Sequence, residues 1–340
     1  MRIDIDTSIG ERDAALIVAQ IGDDLTEVQR EFDWTLRTTP RIDVYATNDR
    51  YAAGLRNVFG YSRATAEYLA ENSVAFFEPS LVRIAVSWEA VRDRRPIAAI
   101  RHELTHVVTL EACAPRCDLV PAWLNEGEAR LAEALMPGAD WRLMRVRYEA
   151  ASMVATGTLI PLTSLWTQLQ WNAIGDWAGY YKYQQAARAT ELLRADIGER
   201  AIARLYARIR AGEDVARAYA ALTGKSFASY LATLSLRLAA DVPAGPTIAL
   251  ITPGADGSGA SYLLYGFPAE ANVALRIRAR HVDETLPVAV SPQGAYFGSL
   301  DDSYPPGAYA ITATFGATII SASVTKRGGR TRVVIPETRD

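Results

Sequence analysis

The segment that most constrains this chain is the run from His102 to His106, with the sequence HELTH. On a helix, residues four apart lie on one face, so the two imidazoles can converge on a single ion. Apolar residues at helical spacing predict such a helix, and Pro96 suits its first turn. They are Ile97, Ile100, Leu104, Val107 and Val108. This stripe must pack against a core, so we expect the histidines on the opposite face, toward a cleft.

A second segment can supply what the histidine pair lacks. Catalytic zinc takes three protein ligands and keeps one position open. Glu126 lies in the run Trp123–Ala129 (WLNEGEA) and can be the third ligand from a second helix, which Pro121 would open. Gly127 removes a side chain where two helices would pack closely around a metal. Only three histidines occur in the chain, and two form this motif, so we favour a metal site over chance decoration of a helix.

These two motifs, H-E-x-x-H followed by W-L-N-E-G-x-A, resemble those of the gluzincin metallopeptidases, especially the bacterial peptidase MA-like group. The resemblance implies a Zn²⁺ site with His102, His106 and Glu126 as ligands. It also implies Glu103 as the general base that activates a zinc-bound water to hydrolyse peptide bonds. The run YQQAARATELLRADIG resembles the gluzincin helix that begins with an oxyanion-stabilising tyrosine. We therefore expect Tyr183 in that role, with an ordinary packing role as the alternative.

Residues after the third ligand refine the resemblance. Glu133 matches an acidic position of the aminopeptidase branch, and either it accepts a hydrogen bond from a ligand histidine or it is a solvated surface residue. Thermolysin-like enzymes have an aspartate four residues after the third ligand, where this chain has Arg130, so that subfamily does not fit. We expect Glu128 to be solvated, and His281 to lie in a solvated loop. The G-x-M-E-N motif of the aminopeptidase branch is absent from the sequence, which favours an endopeptidase or a peptidase with a narrow target.

The pattern of apolar residues predicts an α+β fold. Residues 1 to about 95 are expected to be mixed, with strands at 2–6, 41–45, 74–77 and 81–88, a helix at 14–32 and a turn at 47–49. The last of these strands either lines the cleft and pairs with extended substrate or lies inside a sheet. Residues 140–240 are expected to be mostly helical, with helices at 141–156, 180–197, 199–211, 213–222 and 226–239.

After residue 247 the apolar period changes from 3.6 to 2, which predicts a β-sandwich. Candidate strands are 248–252, 261–265, 273–279, 287–290, 309–315, 319–325 and 331–335, with turns such as Pro253-Gly254. The run PPGAYAITATFG, from Pro305 to Gly316, resembles the ends of bacterial Ig-like modules. We therefore divide the chain into a metallopeptidase domain (1–240), a linker (241–247) and an Ig-like β-sandwich domain (248–340).

Composition narrows the location and the partners. A net charge of −3 gives no reason to expect nucleic acid as a partner. No apolar run reaches membrane-spanning length, and the start MRIDIDTSIGERD is unlike a signal peptide, so the protein is cytosolic or its leader is not present in this chain. We expect Cys113 and Cys117 to form a disulfide, with free thiols as the alternative. A disulfide would favour an extracytoplasmic location, secreted or at the cell surface.

Two functions fit the sequence. The first is a zinc peptidase acting on a peptide or protein, with an accessory β-domain. The alternative is a surface adhesion or binding protein whose peptidase site is no longer used, although the intact Glu103 speaks against it. The β-domain could contact a cell surface, wall or glycan through Tyr262, Tyr265 and Tyr296, which are equally ordinary strand residues.

Overall fold

The structure is a computed structural model that describes residues 1–92, 97–136, 140–242, 245–251, 260–300 and 303–326. Its helices are α1 (Glu11–Phe32), α2 (Asn48–Asn57), α3 (Arg63–Asn72), α4 (Trp88–Val91), α5 (Ala98–Cys113), α6 (Ala122–Ala134), α7 (Asp140–Ala155), α8 (Gln168–Ala173), α9 (Asp176–Ile197), α10 (Ala201–Arg210), α11 (Val215–Thr223) and α12 (Phe227–Ala239). Among these, no helix is both long and apolar enough to cross a membrane.

The strands alternate with helices at first and then follow one another. They are β1 (Arg2–Ile5), β2 (Arg41–Tyr45), β3 (Ala75–Glu78), β4 (Arg83–Ser87), β5 (Thr247–Ile251), β6 (Ala260–Tyr265), β7 (Asn272–Ala279), β8 (Val282–Ala289), β9 (Tyr296–Leu300), β10 (Gly307–Phe315) and β11 (Thr318–Lys326). The predicted α+β class is confirmed. Several predicted features lie wholly or partly outside the described residues: Pro96, residues 243–244 of the linker, residue 252 of the first β-domain strand, the Pro253-Gly254 turn and the strand 331–335.

The chain divides into two compact units. Unit 1 contains Met1–Glu133 and Ile160–Thr233, and unit 2 contains Ala134–Leu159 and Leu234–Asp340. The sequence-based boundary at residue 240 places α7 with the N-terminal part, whereas here α7 belongs to unit 2 with the later strands. The amphipathic pattern of α7 predicts a helix that needs an apolar partner, but it does not say which sheet provides that partner.

A mixed sheet with the order β1-β2-β4-β3 organises the first half of unit 1. β2 is parallel to β1 and β4, and β3 is antiparallel to β4. One apolar core joins the sheet to α1 and α5. It includes Ile17, Ile21, Ile42, Val44, Ile84, Val86, Ile100, Leu104 and Val107. Because β4 pairs with β2 and β3, it is an interior strand. Of the two alternatives for 81–88, the interior strand is confirmed, and the strand that lines the cleft and pairs with substrate is wrong.

One local prediction in this region is also wrong. Residues 47–49 do not form an isolated turn, because Thr47 is the N-cap of α2 and its side chain accepts a hydrogen bond from the backbone N–H of Arg50. Threonine followed by asparagine and aspartate favours a turn and a helix N-terminus for the same reason, since short polar side chains bond to nearby backbone N–H groups. The predicted helices between residues 140 and 240 are confirmed with shifted ends.

Two antiparallel sheets form the described strand part of unit 2. Their orders are β11-β10-β7-β8 and β5-β6-β9, and strands of both share one apolar core. Tyr262 is 3% exposed and belongs to this core, so its interpretation as an exposed ligand-binding aromatic is wrong. Tyr265 and Tyr296 are half-buried, and His281 is exposed in the turn after β7, as predicted. β8 begins earlier than predicted, and β9 was not predicted.

A tyrosine in the middle of α7 connects this helix to the strand region of unit 2. The Tyr148 hydroxyl lies 2.9 Å from the carbonyl oxygen of Gln293 and 3.1 Å from that of Gly294, and it accepts a 2.7 Å hydrogen bond from the backbone N–H of Gly266. The ring also packs on Tyr265, with centroids 4.9 Å apart. One buried side chain therefore connects the helix to two loops of the strand region.

Candidate metal centre

The position of the two motif histidines follows from how α5 packs. Ile100, Leu104 and Val107 are fully buried against the sheet and α1. This contact turns the opposite face of the helix away from the sheet, and that face carries His102 and His106. Their ring centroids lie 4.8 Å apart. The apolar stripe read from the sequence therefore orients the histidine pair.

Glu126 on α6 completes the group. Its Oε2 lies 3.5 Å from Nε2 of His102 and 3.7 Å from Nε2 of His106. One donor atom from each of the three side chains lies within 4.8 Å of the others, so the group could hold a metal ion. Zinc binds such ligands at about 2.0–2.1 Å in a tetrahedron, which separates donor atoms by roughly 3.4 Å. The donor set, and the two distances from Glu126, are compatible with a tetrahedral cation such as zinc.

The other ring nitrogens of both histidines also have partners. Nδ1 of His102 lies 2.7 Å from Oε1 of Glu133, and Nδ1 of His106 lies 3.2 Å from Oδ1 of Asn125. Such bonds fix the tautomer of a ligand histidine and leave Nε2 for the metal. Of the two interpretations for Glu133, the structure supports the histidine partner, because the residue is buried. Arg130 in turn donates to Glu133 and holds its carboxylate in place.

The charges of the centre favour a cation. Burial alone would lower the pKa of His102, but the carboxylates of Glu126 and Glu133 raise it well above its usual value. Burial raises the pKa of Glu103, and the neighbouring imidazoles oppose this. Burial also acts to raise the pKa of Glu126, yet the two histidines outweigh it and hold that pKa well below its usual range. The carboxylates of Glu126 and Glu133 thus favour the charged form of the His102 imidazole, so the charges of the centre attract a cation.

Tyr183 is the tyrosine of α9 that lies beside the centre. Its ring centroid is 6.3 Å from that of His102 and 4.9 Å from that of Trp171, which meets it edge-on at 89°. Burial is the first cause that raises the pKa of Tyr183, and the charge of Glu126 adds to it. Tyr181 is buried and Tyr180 is 39% exposed, and the two rings pack on each other. The structure thus brings the predicted tyrosine close to His102, while its role stays a prediction.

Gly127 allows α6 and α9 to approach closely, as expected from the sequence. A β-carbon at this position would lie 2.6 Å from the backbone carbonyl oxygen of Ala186 and would also collide with the Thr190 side chain. Backbone cannot move aside as a flexible side chain can. The glycine therefore sets the distance between the helix that carries Glu126 and the helix that carries Tyr183.

A buried network of ion pairs lies behind the ligand helices. Arg101 lies 3.7 Å from Asp24 and 3.0 Å from Glu31, and Arg194 lies 3.4 Å from Glu31 and pairs with Glu128. Glu128 is fully buried, so its predicted solvation is wrong, and burial raises its pKa to about 7. The network connects α1, α5, α6 and α9 next to the ligands, because Arg101 precedes His102 and Glu128 follows Glu126 by two positions.

Cys113 and Cys117 are joined by a disulfide, as the sequence predicts. The bond links the end of α5 to the 3-10 turn at Cys117–Leu119, which leads toward α6. Because both sulfurs are used in the bond, neither cysteine is a metal ligand. The disulfide thereby constrains the beginning of the segment that connects the two ligand helices.

Sequence reasoning missed four residues of the centre. Asn125 and Arg130 are partners of His106 and Glu133, and Trp171 and Lys182 pack beside Tyr183. Asn125 could have been found from its place in the motif next to Glu126. Nothing in the local sequence shows that Trp171 or Lys182 lies near the histidines of α5.

A scan against protein-family profiles found no match, and neither did searches of curated proteins and of solved structures.

Proposed function

We propose that this protein is a zinc-dependent endopeptidase. The observation that carries the proposal is the convergence of His102, His106 and Glu126 with a buried Glu103 next to the first ligand. The motifs resemble those of gluzincin peptidases of the MA-like group, and that resemblance supplies the reaction class. A scaffold that only binds has no need for a buried carboxylate beside two imidazoles, because burying such a charge costs free energy.

Zinc held by the two histidines and Glu126 would supply Lewis-acid chemistry, polarising the scissile carbonyl and increasing the acidity of water. Glu133 and Asn125 orient the imidazoles from behind. Glu103 takes a proton at its carboxylate from the attacking water and passes it to the nitrogen of the leaving amine. Its raised pKa in the buried site moves the carboxylate toward the range in which it can both accept and donate at neutral pH.

Tyr183 stabilises the negative charge that develops on the carbonyl oxygen. A phenol with a raised pKa stays protonated at neutral pH and can therefore donate a hydrogen bond. Its ring packs edge-on against Trp171 and lies near the His102 ring. A donor that is fixed before the charge appears needs no reorganisation during the reaction, which is the source of its effect.

An extended peptide is the substrate that suits the sheet of unit 1. β3 is at the edge of the order β1-β2-β4-β3 and packs against α5, which carries the histidines. Its residues Ala75–Glu78 pair with β4 on one side only within the described sheet. Backbone groups on the other side can form hydrogen bonds with a substrate strand. This mode recognises backbone and leaves the side-chain preference to neighbouring residues.

The second unit supports a location outside the cytoplasm. Its two antiparallel sheets around one core suit an Ig-like module, and we assign to it contact with a cell surface or wall. The Cys113–Cys117 disulfide suits an oxidising compartment, where such bonds persist.

The test combines metal analysis with digestion of a peptide library. We expect one zinc per chain and cleavage within peptides rather than at their ends. Glu103→Gln should keep its zinc while turnover falls by roughly 10²–10⁴-fold, because the base is lost but the ligands remain. Zinc bound with no cleavage of any peptide by the wild type would favour the adhesion or binding function instead. No zinc after reconstitution would overturn the proposal.

A further inference from the structure

Lys182 is a buried lysine next to the metal centre. The residue is 5% exposed, and its Nζ lies 2.7 Å from the carbonyl oxygen of Trp171 and 2.7 Å from that of Ile174. Burying an ammonium group is costly unless its N–H groups find acceptors. Here two backbone carbonyls accept from it. A charge kept in such a position calls for a role beyond surface solubility.

The two carbonyls belong to the end of α8. This helix has only six residues, Gln168–Ala173, and isolated helices of that length are unstable. Its start is closed by a capping box between Thr167 and Gln170. Its C-terminal end is capped by the Lys182 ammonium. A cation there donates hydrogen bonds to the last carbonyls and interacts favourably with the helix dipole. The hydrogen bonds of Lys182 therefore connect the end of α8 to α9.

Helix α8 carries Trp171, whose aromatic ring packs against Tyr183. Trp171 is 1% exposed, and its ring centroid lies 4.9 Å from the Lys182 Nζ and 4.9 Å from the Tyr183 ring. Lys182 is also the direct chain neighbour of Tyr183, and its Nζ lies 5.8 Å from that ring. The lysine thus acts on Tyr183 through Trp171, while Tyr183 is 6.3 Å from the His102 ring.

We propose that Lys182 is a positioning residue that holds α8 and Trp171 against Tyr183, and so fixes the phenol beside the metal centre. The proposal rests on the peptidase function proposed above. It assigns Lys182 no contact with substrate. Its effect is to keep the oxyanion donor in place before the transition state forms, so its loss should reduce kcat more than substrate binding.

The test compares three variants of the full-length protein. Lys182→Met removes the donors and keeps most of the stem, Lys182→Arg restores donors, and Lys225→Met is the control, since Lys225 is an exposed lysine. For Lys182→Met we expect unchanged zinc content and a kcat that is roughly 10–100-fold lower, with KM changed by less than about threefold. Lys182→Arg should recover part of the loss, and Lys225→Met should match the wild type. A rise in KM at unchanged kcat would overturn the proposal.

Hydrogen exchange separates this proposal from the peptidase function. In zinc-loaded Lys182→Met, amides of residues 168–175 should exchange roughly tenfold faster or more, with residues 102–113 unchanged. Unchanged exchange at 168–175 would overturn the proposal whatever the activity. Faster exchange in a protein whose wild type cleaves no peptide would overturn the peptidase function and, with it, the catalytic part of this proposal. If Lys182→Met does not fold, Trp171→Phe serves instead, with the same expected fall in kcat.

Discussion

Oε1 of Glu133 lies 2.7 Å from Nδ1 of His102, on the side of the ring opposite Glu126. The imidazole is therefore held between two carboxylates of the same helix, α6. One of them is a candidate ligand and the other fixes the ring. Arg130 donates to Glu133 and also lies 3.2 Å from Oε1 of Gln184 on α9. This chain of contacts makes the ligand geometry depend on residues that no metal would touch.

Loss of Glu133 should weaken metal binding without removing a ligand. We expect Glu133→Ala to lower zinc affinity by roughly 10–100-fold, because His102 loses the acceptor that sets its tautomer and orientation. Glu133→Gln keeps one oxygen acceptor, so its zinc affinity should lie between those of the wild type and Glu133→Ala. Competition with a chromogenic chelator measures the affinity, and Glu71→Gln, at an exposed position, is the control. Equal affinities for Glu133→Ala and the wild type would show that the bond to Nδ1 is unimportant.

The close approach of α6 and α9 should make Gly127 intolerant of any side chain. Gly127→Ala places a β-carbon against the backbone of Ala186, and we expect a loss of roughly 1–3 kcal/mol in the free energy of unfolding. Gly22→Ala, in open space within α1, is a matched control. That change should stabilise by about 0.5–1 kcal/mol, because alanine favours the helix. Urea unfolding measures the change in the free energy of unfolding for both variants. A Gly127→Ala protein as stable as the wild type would contradict the predicted clash.

Stability should fall with rising pH through the titration of Asp24. Burial, partly opposed by Gln20 and Arg101, raises the pKa of Asp24 to about 6, well above the usual range of an aspartate. Between about pH 4 and 6 the folded state then binds more protons than the unfolded state, so this residue's contribution is present below pH 4 and is lost as pH rises. The predicted loss is on the order of 2–3 kcal/mol.

The Asp24→Asn variant tests this pH dependence. An amide does not titrate, so the difference in unfolding free energy between wild type and variant should change between pH 4 and 7 in favour of the variant. Glu11→Gln is the control, because Glu11 is exposed on the same helix. A wild-type slope in the Asp24→Asn protein would show that other groups cause the pH dependence.

Unit 2 should depend on the hydroxyl of Tyr148. Tyr148→Phe leaves the N–H of Gly266 and the carbonyls of Gln293 and Gly294 without this partner, and we expect a loss of roughly 1–3 kcal/mol. Tyr68→Phe, at a side chain that is 64% exposed, should be close to neutral. Thermal unfolding followed by calorimetry measures both. If Tyr148→Phe were neutral, the stability of unit 2 would not depend on this connection to α7.

Removal of one hydroxyl from Tyr183 should affect only the chemical step. For Tyr183→Phe we expect kcat to fall by roughly 10²–10³-fold at a similar KM, since the oxyanion exists only near the transition state. Tyr180→Phe and Tyr181→Phe should retain most of the activity. Steady-state kinetics on a peptide cleaved by the wild type measures this. A larger loss for Tyr181→Phe than for Tyr183→Phe would move the donor to another position of α9.

The local features of this protein can be predicted from its sequence. The H-E-x-x-H spacing places His102 and His106 on one helix face, and the apolar stripe predicts which face packs inward, because both depend only on the 3.6-residue period. The change of period after residue 247 likewise predicts the antiparallel sheets. These features depend on neighbours in the chain, so they can be read without knowing the fold.

Contacts between residues far apart in the chain depend on how the helices pack. Glu128 and Glu133 are both acidic residues of α6, yet one pairs with Arg194 and the other with His102. Their partners lie on other helices, and no local pattern records which side chains those helices bring. For the same reason the sequence could not link Lys182 to Trp171, or α7 to the strands of unit 2. Packing across helices sets burial and charge partners, and these determine which carboxylate holds a ligand and which stabilises the fold.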